Sequence, residues 1–340
     1  MLNRSLIALM LVSALCSVWP AQASPPAHQA PTAAQELHSW LSRIQEAATR
    51  RNFQGTFVVS AGGAVSSARI SHYCEGESQF ERIDSLDGEV RHVLRHNEVV
   101  LTLWPQEHVA LIEQRDTLSS FPRLLDGGEN RIADIYQMKL QHDERIAGRE
   151  ASVLLLAPRD AYRFKYRLWS DKSSALLLRA DVLDEKDNLL ESSAFSDVAI
   201  NVRSQPDVVL QPMRKLEGYR VVHPVFKPTR LENEGWSLRL NVPGFRQVSC
   251  VRRPLESGVP GESTGPAIEA VHTIFSDGLT QVSLFIEPFH AQRHKDDPMV
   301  STLGATRTLM RRKGDWWITV VGDVPAATLE AFSDGLERKK

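Results

Sequence analysis

A chain of 340 residues carrying 40 basic and 42 acidic side chains is nearly neutral, which excludes nucleic acid or an anionic membrane as a bulk electrostatic partner and leaves only local patches. Beyond the leader, no apolar run approaches the roughly 18 residues that a spanning helix needs. The length suffices for two domains of ordinary size.

In chain order, Met1 to Ala23 reads as a signal peptide: Arg4 supplies the positive end, Leu6 to Val18 the apolar run, and Ala21-Gln22-Ala23 a small-x-small cleavage site. The protein is expected to be exported and to begin near Ser24. Leu15 occupies the place where a lipoprotein signal at Cys16 would need a small residue. Residues 24–31 are Pro/Ala-rich and read as a disordered leader. A large domain is expected over 32–204, a proline-bearing linker over 205–230 and a small domain over 231–340.

Thr32 with Gln35 three residues on predicts a capping box, and Leu37, Trp40, Leu41 and Ile44 fall on one helical stripe. An antiparallel meander from Phe53 to Ile112 follows. Phe53, Phe57 and Val59 share one face at period two, and Asp87-Gly88 suits a tight hairpin because its turn needs positive φ. Further strands are expected at 151–156, 162–170, 175–183 and 189–202. The small domain is expected to hold strands at 236–242, 246–252, 270–275, 280–287, 306–312 and 316–321. Its terminal helix should run from Val324-Pro325 to Leu336, with Leu329 and Phe332 inward, and 256–266 and 290–302 read as loops.

Enzyme motifs are weak. Gly261-Glu262-Ser263-Thr264-Gly265 has the nucleophile-elbow spelling, but Pro260 and Pro266 bracket it in a polar loop, whereas the motif needs a buried strand feeding a helix. His290 and His294 have i, i+4 spacing without the glutamate that a metalloprotease helix carries after its first histidine. Neither a catalytic constellation nor a cofactor or metal site is expected, and a binding protein remains.

Several stretches resemble the MucB/RseB family. They are Phe53 to Ser60, Ile70-Ser71-His72, Glu81 to Gly88, Val93-Leu94-Arg95, Tyr166 to Asp171, Leu177 to Asp181, Gly304-Ala305-Thr306, and Gly314 to Pro325 with its Trp316-Trp317 pair. The resemblance implies an α+β protein: a large N-terminal half-open antiparallel β-barrel with covering helices, like the periplasmic lipoprotein carriers, plus a smaller C-terminal α+β domain. It further implies a periplasmic negative regulator of the envelope-stress sigma factor, which shields the periplasmic part of a transmembrane anti-sigma factor from the initiating protease until lipid or lipopolysaccharide releases it. In some members it implies control of alginate production. A homo-oligomer stays open. The alternative is a lipid or lipoprotein carrier without regulatory role.

Candidate site residues follow from physical reasoning. Phe53, Phe57, Val59 and Trp104 on one side of a bent meander could hold an acyl chain, each buried methylene contributing about 0.8 kcal/mol, or they could be ordinary core under the Trp40 helix. Arg163, Lys165 and Arg167 alternate with aromatic and apolar residues, giving a basic strip for lipid phosphates or an acidic partner, or a plain solvated face. Adjacent strand residues point to opposite sides, so either one of Trp316 and Trp317 is an exposed partner-binding anchor or their strand is covered on both faces. Cys74 and Cys250 form either a disulfide joining the two halves or two separate thiols.

Overall fold

The computed structural model describes residues 32–114, 132–239, 242–255, 268–294 and 298–339. The signal peptide, the leader and Ser263 lie outside them. Helix α1 (Ala33–Arg50) starts at the expected capping box: the Thr32 side chain accepts from Gln35 N–H at 3.3 Å, and Gln35 Oε1 accepts from Thr32 N–H at 2.8 Å. Leu37, Leu41 and Ile44 are buried and Trp40 packs beside them.

The large sheet begins as a meander of β1 (Phe53–Ala61), β2 (Ala64–Glu75), β3 (Ser78–Ser85), β4 (His92–His96), β5 (Val99–Trp104) and β6 (Val109–Gln114). Asp87-Gly88 does not close a tight hairpin. Its connection is longer, Gly88 has φ +68°, and the Asp87 carboxylate accepts from both N–H and Oγ of Ser67. The short α2 (Ile132–Ile135) precedes β7 (Tyr136–Leu140), β8 (Glu144–Ile146), β9 (Arg149–Pro158), β10 (Lys165–Asp171), β11 (Leu177–Leu183) and β12 (Leu189–Ile200). β12 returns to pair with β1, giving one 13-stranded sheet that does not close on itself.

The stretch read as a linker does more than connect. It contains α3 (Asp207–Arg214) and β13 (Arg220–Val222). Val209 of α3 is fully buried among Leu94, Leu101 and Leu103, and β13 extends the large sheet parallel to β6. Four prolines hid an amphipathic turn whose partners lie a hundred residues earlier.

In the small domain, β14 (Lys227–Pro228), β16 (Arg246–Leu255), β17 (Ile268–Ser276), β18 (Gln281–Pro288), β19 (Met299–Leu303), β20 (Thr306–Lys313) and β21 (Trp316–Gly322) form a seven-stranded sheet in the order β14-β16-β17-β18-β21-β20-β19. Helix α4 (Ala326–Gly335) packs on β20 and β21, with Leu329 and Phe332 buried as expected. β15 (Trp236–Leu238) pairs with the terminal β22 (Leu336–Arg338). β19 falls where a loop was expected, and all five of its residues are exposed, so it shows no buried face for periodicity to reveal.

The two domains meet closely. Leu279 sits in the apolar cluster of α1 and β9, and Thr328 Oγ1 donates to Tyr162 O at 2.6 Å. Gly304 at φ +60° lies against the β1–β2 turn, where an added Cβ would come within 2.6 Å of the Ala61 Cβ.

Candidate functional site

Register places the expected lipid residues of the large sheet on one face. Phe53 opposes His72, His72 opposes Glu81, Glu81 opposes Arg95, and Arg95 opposes Val100, with Trp104 four residues further along the same side of β5. Phe53 and Phe57 are 1% and 5% exposed and pack edge-on against Phe195 at 6.0 and 5.5 Å. They are core. Val59 is half-buried against the same cluster, and Trp104 is half-buried apart from it. Between the aromatic ends the face is polar: His72, Glu81 and Arg95 are all buried. Burial, followed by the Arg95 charge, pushes the His72 imidazole down to about 4. Sequence reading missed this polar row because each member alternates correctly as a strand residue.

The basic strip does not form. Arg163 precedes β10 rather than lying on it, and its side chain is wholly buried between Asp160 at 2.5 Å and Asp277 of the small domain. It also donates to Pro243 O and stacks over Phe245 at 4.7 Å. With two carboxylates already on it, this guanidinium has neither access nor charge to offer a lipid phosphate. Lys165 Nζ pairs with Asp187 at 2.7 Å and donates to Glu185 O at 3.0 Å. Arg167 lies on β10 beside the Trp169 ring, at 6.0 Å, with its Nε buried and unpartnered.

Around Arg163 the domain junction is dense in polar contacts. Tyr136 Oη donates to Asp277 at 3.4 Å, while the Asp277 carboxylate also accepts from Leu279 and Thr280 N–H at 2.9 and 2.8 Å. Glu191 faces Asp323 across the junction and accepts from Ala305 N–H. Burial and the like charge of Asp323 push its carboxyl up.

The tryptophan pair divides as strand geometry requires. Trp317 is 4% exposed, stacked face-on under His294 at 4.8 Å. Trp316, on the other side of β21, is half-buried and meets Trp236 edge-on at 5.7 Å, with Arg338 over both rings. Trp236 and Trp316 wall a cleft of about 460 Å³ floored by Val271 and Ile286. Its rim is ion-paired: Arg252 bonds Glu234 and reaches Glu269 at 3.5 Å. An aromatic-walled cleft with a satisfied polar rim can seat an apolar side chain of an extended partner. Trp236 was not singled out from sequence, since only the pairing of β15 with β22, about a hundred residues later, brings it to Trp316.

The two cysteines are not bridged. Cys74 is half-buried in the large domain and donates to Thr49 O at 2.8 Å, and Cys250 is buried in the small-domain core. Each has its own partners in its own domain, and burial pushes both thiols up, so they remain protonated. His290 and His294 belong to a turn in which His290 N–H donates to His294 Nδ1 at 3.0 Å. Among the described residues, no group of three or more His, Cys, Asp or Glu side chains is placed to hold a metal ion.

Comparison with known proteins covers both domains. The profile of the MucB/RseB N-terminal domain matches residues 36–214, and that of the MucB/RseB C-terminal domain matches residues 230–337. The chain is 29% identical over 307 residues to the sigma factor AlgU regulatory protein MucB of Pseudomonas aeruginosa, covering 88% of this chain and 90% of that one. It is 25% identical over 301 residues to the sigma-E factor regulatory protein RseB of Escherichia coli K12, covering 87% and 89%. A crystal structure of MucB in complex with MucA(peri) superposes with a TM-score of 0.65 at 26% identity, covering 89% of this chain and 98% of that one. A Pseudomonas aeruginosa MucA/MucB complex gives 0.67 at 26% identity, covering 90% and 99%. Matched over its large and small domains in the same order, the chain belongs to the MucB/RseB family.

Proposed function

We propose that this protein is a periplasmic negative regulator of an extracytoplasmic-stress sigma factor. It binds the periplasmic domain of a transmembrane anti-sigma factor, shields that domain from the initiating site-1 protease, and releases it when lipid or lipopolysaccharide binds. The observation that carries this reading is the two-domain match to a relative solved in complex with MucA(peri). The cleft at Trp316 supplies chemistry suited to such a partner, because the half-buried Trp316 ring, backed by the fully buried Trp236, gains by covering an apolar side chain while the paired rim needs no new neutralisation. In the large domain the apolar cluster around Phe53 and Phe57 is the place where an acyl chain would compete with packing.

The test is reconstitution. Purified mature protein should retain the periplasmic domain of the anti-sigma factor and slow its cleavage by the site-1 protease, and added lipopolysaccharide should restore cleavage. Cleavage at the same rate with and without the protein would end the regulatory reading. Transfer of bound lipid between vesicles, with no effect on the protease, would identify a carrier instead.

A further inference from the structure

The C-terminal half of α1 presents arginines that the large domain does not use. Arg43 and Arg50, two helical turns apart on one face, line a pocket of about 300 Å³ together with Arg51 and the turn at Ser173 and Ser174. Among the described residues, neither Arg43 nor Arg50 has a hydrogen-bond or ion-pair partner. The Arg51 side chain donates only to Asn201 Oδ1, at 3.4 Å. Glu46 is the single carboxylate on the lining, so three guanidinium charges face one acid. The opposite wall is rigid. Asp171 accepts from Ser173 Oγ at 2.6 Å and from N–H and Oγ of Ser174 at 2.8 and 2.7 Å, while Arg149 holds the same carboxylate.

The base of the pocket is closed by backbone and two small side chains. Ala47 and Ala175 close the pocket from below, and both belong to the cluster that contains Phe53 and Phe57. Planar guanidinium groups recognise phosphate oxygens in pairs, and a fixed wall lowers the ordering cost of the bound group. The charged and hydroxyl-bearing lining has the character of a site for a small anion. We infer that the pocket formed by Arg43, Arg50 and Arg51 binds a phosphate group, either free or at the end of a lipid headgroup. A lipid source would give the lipid-responsive part of the function proposed above a location.

The experiment uses the whole mature protein. Inorganic phosphate is titrated calorimetrically in one arm, and co-sedimentation with phosphatidylglycerol vesicles is compared with phosphatidylcholine vesicles in the other. The Arg43→Gln/Arg50→Gln variant alters exposed side chains only, and Arg239→Gln, an exposed arginine of the small domain paired with Glu337, serves as control. The double variant should weaken binding about tenfold or more, as expected for lost charge-assisted hydrogen bonds, and wild-type binding should fall with added salt. A loss in the vesicle arm assigns the phosphate to a lipid, and a loss confined to the phosphate arm assigns it to a free anion. Equal binding by wild type and double variant in both arms overturns the inference. So does loss of the anti-sigma periplasmic domain by the double variant while phosphate and vesicles still bind, which would make this a peptide site. Retention of that domain by the wild type separates the two readings: its failure sinks the regulator and leaves the phosphate result standing.

Discussion

Arg163 of the large domain and Asp277 of the small domain form an ion pair in which both side chains are fully excluded from solvent. A buried pair adds little over a well-packed apolar one, but removing a single partner strands a charge and typically costs about 3–5 kcal/mol. Asp277→Ala should therefore lower the unfolding midpoint strongly and expose the segment between α3 and β15 to protease. The double variant Arg163→Met/Asp277→Asn, which keeps an acceptor for Leu279 and Thr280 N–H, should recover part of the loss. Calorimetry with limited proteolysis reads both, and a single variant as stable as wild type would show that the junction does not depend on this pair.

The two neighbouring tryptophans should separate stability from binding. Trp317→Ala empties a buried position beneath His294 and is expected to destabilise by about 3–5 kcal/mol. Trp316→Ala opens one wall of the cleft and should cost about 2 kcal/mol or more in affinity for the anti-sigma periplasmic domain. Denaturant titration and a direct binding titration on the same two proteins check the division, which fails if Trp316→Ala binds as wild type.

Acid should weaken the fold before carboxylates titrate fully. Burial, then the charges of Arg95 and Arg253 respectively, hold the imidazoles of His72 and His272 down to about 4 from an ordinary 6.5. Between those two values the unfolded chain takes up protons that the folded protein refuses, so stability falls as pH falls through 6.5 and levels off near 4. The combined loss is on the order of a few kcal/mol. Urea midpoints across this range should show the decline, and His72→Gln/His272→Gln should flatten it.

Glu191 works in the opposite sense. Its carboxyl is pushed up by burial and by Asp323, so the folded state holds the proton more tightly than the unfolded chain. That contribution favours folding as pH falls through the raised value and opposes it at neutral pH. Glu191→Gln should raise the thermal midpoint at pH 7 and leave it little changed in acid. An unchanged or lower midpoint at pH 7 would mean that the hydrogen bond from Ala305 outweighs the repulsion.

Cys74 and Cys250 should behave as isolated thiols. A chain spanning residues 24–340 should run identically on gels with and without reductant, and both groups should react with a thiol reagent fully only after denaturation. A mobility difference would restore the bridge.

Local features were readable without coordinates. The Thr32–Gln35 capping box, the Leu37-Leu41-Ile44 stripe and the shared face of Phe53, Phe57 and Val59 depend on residues within a few positions of one another. Their physics is complete at short range. Arg163 illustrates the opposite case. Its alternation with Lys165 and Arg167 described a cationic strand face, yet the strand begins at Lys165 and the guanidinium turns into a junction whose acid lies 114 positions away. The cleft at Trp316, the packing of α3 under Leu94 and Leu101, and the unbridged cysteines share that character.

What the amino-acid order determined alone was the set of elements and the side each residue takes, because capping, helical period and strand alternation are settled by neighbours in sequence. Which charges are neutralised and which remain free was decided only in three dimensions. Burial cost and ion pairing depend on the distance between groups and on access to water, so Arg163 is consumed holding two domains together while Arg43 and Arg50, equally basic on paper, are left facing solvent.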